Sequence, residues 1–213
     1  MENVIKNYSL INEEIINNNK VKLVAVTKTF PISYILPIIN ENHIHFGENK
    51  VQEALEKWSS IKQDFPNIKL HLIGKLQTNK VKFVLPLFDY IHSLDSDKLA
   101  NKISQEQEKK NFKPKIFIQV NIANEPQKGG IDIKNVSGFY KKCINEYKLD
   151  VIGLMCIPPF DKNSKPFFEE MQKISQKLNL KEISMGMSDD YLEAINYGST
   201  FIRIGSKIFG KRN

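Results

Sequence analysis

Short runs of β-branched and aromatic residues alternate with stretches whose apolar positions recur at helical spacing, along the whole chain. A first helix is expected over Glu2–Asn17. Val21–Val26 (VKLVAV) reads as a buried strand that closes at Thr27-Lys28, and Pro31 then opens a helix where its missing N–H is harmless. His43–Phe46 reads as a second short strand. The segment Glu48–Ile61 follows with Val51, Ala54, Leu55, Trp58 and Ile61 on one helical face. Lys69–Ile73 is a third strand and Gln77–Leu85 a helix. Tyr90–His92 is a fourth strand, and Asp97–Lys110 a charged helix. Lys115–Val120 (KIFIQV) is a fifth strand, Ile133–Glu146 a helix and Val151–Leu154 a sixth strand. Phe167, Met171, Ile174 and Leu178 mark another helix. Ile183–Met185 is a seventh strand, Asp189–Asn196 a helix, and Thr200–Arg203 an eighth strand before a final helical turn.

Strands that alternate with helices predict a parallel sheet. Eight such repeats favour an α/β architecture, a closed (β/α)8 TIM barrel with an extra N-terminal helix, as one domain over residues 1–213. An open doubly wound sheet is the alternative, but the Gly-x-Gly-x-x-Gly turn it uses after the first strand is missing. The longest irregular stretch is 121–132.

Composition changes this picture little. The chain is 41% apolar and 26% charged, as globular proteins are. No apolar run reaches the roughly 20 residues of a membrane span. The polar N-terminal segment resembles no signal peptide, and Cys143 and Cys156 form no disulfide or zinc framework, so a reducing cytoplasmic setting and no membrane are expected. The net charge of +7 invites a nucleic-acid reading. The positives are scattered lysines without an aromatic-basic motif, so no nucleic acid is expected. Only Arg203 and Arg212 are arginine, which suggests that those two positions need a guanidinium.

In a barrel the chemistry collects where strands end. Lys28 ends the first strand, and a desolvated lysine amine is a nucleophile toward aldehydes. Glycine- and serine-rich turns follow the last two strands: Gly186-Met187-Ser188 and Gly205-Ser206. Their backbone N–H groups and hydroxyls suit a phosphate. Pyridoxal 5′-phosphate (PLP) carries both an aldehyde and a phosphate.

Several segments, in order along the chain, carry a resemblance to a known family: VAVTK (24–28), FGENKVQE (46–53), HLIGKLQTNK (71–80), IQVNIANEPQKGG (118–130), GLMCIPP (153–159), SMGMSDDYLEAINYGST (184–200) and RIGSKIFGKR (203–212). The chain resembles the pyridoxal phosphate homeostasis protein family, also called proline-synthase co-transcribed or YggS-like. The resemblance implies the fold of the N-terminal barrel of alanine racemase, covalently bound PLP and no established catalysis. It implies that Lys28 forms the aldimine and that Ser188, Gly205 and Ser206 hold the phosphate. Arg203 would face the pyridine nitrogen, with Asn49 and Met185 lining the pocket. Ser206 stands where threonine is common, Lys207 where a small residue is common, and Leu70 where tryptophan is frequent.

Arg203 sets the expected chemistry. A strong electron sink needs a protonated pyridine nitrogen, held by a carboxylate. Arginine only donates, so the nitrogen opposite it stays unprotonated. Ten residues follow Arg203, and the second domain that carries a racemase's tyrosine base is expected to be missing. The expected role is therefore a monomeric carrier that holds PLP and delivers it to apo-enzymes, without strong catalysis. A PLP-dependent amino-acid racemase and a cofactor-free Schiff-base aldolase are the alternatives. Lys128, in the glycine-flanked loop, is a candidate for receiving or releasing the cofactor. His43 and His45 have metal-compatible spacing but no third ligand, and packing is the expected role. His71 and His92 read as satisfied structural residues, Cys156 as a small apolar one, and Trp58, Phe167 and Phe168 as helical core. No metal is expected.

Overall fold

Eight short parallel strands close on one another into a barrel. The structure is a computed structural model that describes residues 2–125, 129–160 and 162–210. The barrel strands are β1 (Lys22–Val26), β2 (His45–Glu48), β3 (Lys69–Leu72), β4 (Tyr90–Leu94), β5 (Lys115–Asn121), β7 (Asp150–Met155), β8 (Glu182–Ser184) and β9 (Phe201–Ile204). Their order is β4-β3-β2-β1-β9-β8-β7-β5, and pairing of β4 with β5 closes the ring. That last pairing excludes the open doubly wound sheet. A two-residue strand, β6 (Ile131–Asp132), adds to β5 outside the ring and shortens the irregular stretch expected after the fifth strand.

Helices cover the outside: α2 (Ile32–Asn40), α3 (Val51–Asp64), α4 (Val81–Val84), α5 (Asp97–Lys110), α6 (Ile133–Asn145), α7 (Lys165–Lys177), α8 (Tyr191–Asn196) and α9 (Ser206–Phe209). The extra helix, α1 (Glu2–Ile15), packs against α2 and α9, burying Val4, Ile11 and Ile15. Asn7 ties it to α9 by donating to the Ile208 carbonyl at 3.1 Å.

Period-2 alternation divides the apolar residues into two cores. The larger lies between strands and helices and contains Phe46, Trp58, Leu70, Phe88, Ile118 and Phe168. The smaller fills the lumen with Val24, Tyr90, Phe117, Met155 and Phe201.

Some boundaries differ from the pattern-based expectation, for local reasons. The second strand starts at His45, because Asn42 takes a left-handed φ of 61° and the His43 N–H still bonds back to Ile38. Pairing of Gly47 with His71 and of Glu48 with Leu72 keeps both residues extended, so the following helix begins at Val51. Pro31 stands one place before its helix, with ψ of 158°. The helix expected over Gln77–Leu85 is a 3-10 turn, Thr78–Lys80, followed by the single turn α4. Pro86 holds Leu85 extended and ends it.

Candidate functional site

The turns after β1, β2, β8 and β9 meet at the C-terminal mouth of the barrel. Lys28 is half-buried, two residues beyond β1. Its neighbours are pinned on both sides. The Thr27 hydroxyl donates to Glu48 Oε1 at 2.7 Å, and Lys57 Nζ donates to the Thr27 carbonyl at 2.9 Å. Thr29 has a φ of 70°, a conformation costly for a β-branched residue. Its N–H donates to Glu53 Oε1 at 2.5 Å. Partial burial works to raise the Glu53 pKa, but the bonds from Thr29 and Lys57 outweigh it and hold the carboxyl below its usual range. Glu48, fully buried, anchors the set. Its Oε1 also accepts from Lys57 Nζ at 2.9 Å and from Trp58 Nε1 at 3.0 Å.

Asn49 follows β2. Its side-chain Oδ1 is buried and, among the described residues, has no hydrogen-bond partner. A Cβ at Gly74 would stand 2.2 Å from the Asn49 carbonyl oxygen, so only glycine lets the exit of β3 lie there. Across the mouth, the Ser206 hydroxyl donates to Ser188 Oγ at 3.0 Å, and the Lys207 N–H reaches the same oxygen at 3.4 Å. Gly205 lies against β1, where an added Cβ would sit 3.2 Å from the Val26 carbonyl oxygen. The Lys207 ammonium is drawn instead to Glu14 on α1, at 3.1 Å, and to the Tyr191 hydroxyl at 2.5 Å. Met185 is fully buried and packs in the outer core; its carbonyl accepts from the Ser199 hydroxyl at 2.7 Å.

Arg203 projects into the lumen from β9 and is 4% exposed. Nη1 donates to Ser184 Oγ at 2.7 Å and Nη2 to the Cys156 carbonyl at 2.9 Å. Burial lowers its pKa, while Cys156 and Asp190 oppose the shift. Two of a guanidinium's five N–H donors are thereby used. Behind Ser184 stands a row of imidazoles. Ser184 Oγ meets His92 Nδ1, His92 Nε2 meets His71 Nδ1, and His71 Nε2 meets His45 Nδ1, each at 2.9 Å. Burial pushes His71 and His92 well below the usual histidine range, and the neighbouring cations add to the effect. His43 lies outside this row. Its Nε2 donates to the His45 carbonyl at 2.8 Å, and its Nδ1 meets the Tyr8 hydroxyl at 3.2 Å.

The sequence pattern pairs His43 with His45, gives no link among His45, His71 and His92, and passes over Lys57. The available signal was polar residues at alternate positions of apolar strands: His45, His71, His92, Ser184 and Arg203. Among the described residues no three His, Cys, Asp or Glu side chains converge as a metal site. Cys156 is buried and its thiol is pushed up to about 12 by burial, which leaves it inert. Lys128 lies outside the described residues. No helix among them is long and apolar enough to cross a membrane. An open cleft of about 600 Å³, lined by Asp97, Asp132, Lys134 and Lys142 among others, shares no residue with the mouth.

Residues 1–213 match the alanine racemase N-terminal domain family. The pyridoxal phosphate homeostasis protein of Haemophilus influenzae is 37% identical over 211 residues, covering 94% of this chain and 89% of that one. The chain belongs to the pyridoxal phosphate homeostasis protein family. The Aquifex aeolicus member is 36% identical, over 91% of this chain and 88% of its own length. PipY of Synechococcus elongatus has been solved without PLP and with PLP bound. The first structure superposes with a TM-score of 0.91 at 31% identity and the second with 0.87 at 30%, each covering 97% of this chain and 100% of PipY. Alanine racemase of Clostridium difficile shares the fold alone, with a TM-score of 0.77 at 13% identity over 100% of this chain and 57% of that one.

Proposed function

We propose that the protein binds PLP at the barrel mouth through Lys28 and takes part in holding and delivering the cofactor, without strong catalysis. The observation that carries this reading is convergence. A half-buried lysine, a pair of serine hydroxyls and a buried guanidinium meet at one mouth, in a family whose member PipY has been solved with PLP bound.

The residues fit the cofactor. Ser188, Ser206 and the Lys207 N–H offer donors to a phosphate, and Gly205 leaves room for the group to approach β1. The unpartnered Asn49 Oδ1 suits the ring's phenolic hydroxyl, because a buried acceptor without a donor is costly. Met185, fully buried beside the end of β8, would close the pocket wall from the apolar core. The pins on Thr27 and Thr29 hold Lys28 in place as the covalent anchor. When bound, the cofactor supplies an aldehyde that combines reversibly with amines.

Arg203 supports the reading of weak catalysis. It would hold the ring nitrogen as a donor that keeps its own proton, and a nitrogen so held would accept and stay neutral. A neutral ring is a poor electron sink. The whole chain, residues 1–213, then acts as one cofactor-binding unit that exchanges its cargo with apo-enzymes.

The test is the absorbance of the purified protein titrated with PLP, then borohydride reduction and peptide mass mapping. The expected adduct maps to Lys28 and is lost in Lys28→Ala. A colourless protein, or an adduct on another lysine, overturns the reading. Rapid wash-in of solvent deuterium at Cα of L-alanine would replace it with a racemase.

A further inference from the structure

The imidazole row has a direction that the atoms fix. Ser184 Oγ has two hydrogen-bond partners among the described residues, Arg203 and His92. Arginine can only donate, so the serine oxygen accepts there and its one hydrogen is left for His92 Nδ1. His92 is then protonated at Nε2 and donates to His71 Nδ1. His71 is likewise protonated at Nε2 and donates to His45 Nδ1. The reverse polarity would bring two donors to Ser184 and leave its own hydrogen without a partner.

The fold explains why the row climbs. His45 pairs across β2 and β3 with Lys69, two residues before His71. His71 pairs with Tyr90, two residues before His92. Each imidazole therefore stands two residues higher on the next strand, from the half-buried His45 toward the mouth, and the row then crosses the lumen to β8 and β9. Tyr90 stacks on His71 with ring centroids 4.2 Å apart, and Phe117 stacks on His92 at 4.3 Å, so neither ring is free to turn.

We propose that His45, His71, His92 and Ser184 form a neutral relay of fixed polarity that positions Arg203, fixing the direction its guanidinium would present to the cofactor. These are positioning residues, which act through Arg203. The inference rests on the reading of Arg203 given above. A proton on any imidazole would reverse every link between that ring and Ser184 and add charge on the guanidinium's side of the lumen. The charged groups around it are Lys22, Lys69, Asp89 and Arg203, with His43 next to His45. Burial and the cations keep the row neutral.

The first test needs no cofactor. Long-range ¹H–¹⁵N spectra of the full chain labelled with ¹⁵N-histidine read each tautomer directly. His71 and His92 are expected as Nε2–H tautomers, unchanged from pH 8 to pH 5.5. Nδ1–H tautomers, a mixture, or imidazolium in that range would overturn the relay. The second test titrates PLP into His92→Leu and His92→Asn, both checked for folding by circular dichroism. His92→Leu removes the acceptor from Ser184 and is expected to weaken PLP binding about tenfold, the effect of roughly one hydrogen bond, and to shift the absorbance maximum. His92→Asn, which returns an acceptor oxygen, is expected to recover most of both. Wild-type affinity and spectrum in His92→Leu, or no recovery in His92→Asn, would overturn the positioning role. If the parent protein itself fails to take up PLP at Lys28, the proposed function falls, while the tautomer spectra still decide the polarity of the row.

Discussion

Two buried polar networks flank the mouth, and they solve the same problem in opposite ways. Behind β1, the Glu48–Lys57 ion pair lies in the outer core, with Thr27 and Trp58 donating to the same carboxylate oxygen, Oε1, while Oε2 has no partner among the described residues. Inside the barrel, three imidazoles and a serine are neutral and linked in single file behind Arg203. A charge pair tolerates small errors in direction but not the loss of a partner. A neutral row tolerates little misdirection, because each ring must accept on one side and donate on the other. The charged network therefore suits fixing the backbone at Lys28, and the neutral one suits orienting a side chain.

The strongest way to break this contrast is to remove one charge. Lys57→Met leaves the Glu48 carboxylate buried without its ion pair and is expected to cost about 3–5 kcal/mol in urea unfolding at pH 7. Replacing both partners, Lys57→Met with Glu48→Leu, should return most of that loss, because the orphaned charge is gone. A double variant as unstable as the single one would mean that the pair is valued for its backbone contact to Thr27 and not for charge balance.

Acid probes the histidines at the barrel floor. Burial holds the His43 pKa at about 4, against 6.5 for a free histidine. Between those values the unfolded chain binds a proton that the fold does not, so stability falls as pH drops through this window. From pH 7 to pH 5 His43 alone is expected to remove about 2 kcal/mol. Urea titrations at the two pH values should show a shallower fall in His43→Gln. His45, also held at about 4 by burial, acts in the same direction.

Smaller effects belong to the mouth. Ser188→Ala and Ser206→Ala each remove one hydroxyl and should each weaken PLP binding by about 1 kcal/mol in a spectrophotometric titration, with the fold's stability unchanged. The smallest effect is the exposed pair Lys173–Glu169, 2.7 Å apart on α7. Its removal in Lys173→Ala should leave the urea midpoint where it was, since solvent screens such pairs. That result would set the buried pair at Glu48 apart from ordinary ion pairs.

Much of this molecule is legible one segment at a time. The helix Asp97–Lys110 has the bounds its pattern predicts, because Ser96 caps it and Asn111 ends it in a left-handed turn. Strand edges at His45 and Glu48 are less legible, because partner strands set them. Lys28, Ser188, Gly205 and Ser206 stand out from their positions at strand ends. Met185 stands out only through its motif, since a buried methionine also fits the apolar core. Lys57 gives no signal, since a lysine in a helix of mixed charge reads as solvated.

The order of apolar runs, the eightfold alternation and the family motifs determined the barrel and the residues at its mouth, because periodicity and turn chemistry are local properties of the chain. Only the closed barrel decided which polar residues meet. His45, His71 and His92 are separated by 26 and 21 positions, and His92 and Ser184 by 92. They touch because strand register and the closing of β4 on β5 bring alternate positions of distant strands into one narrow lumen.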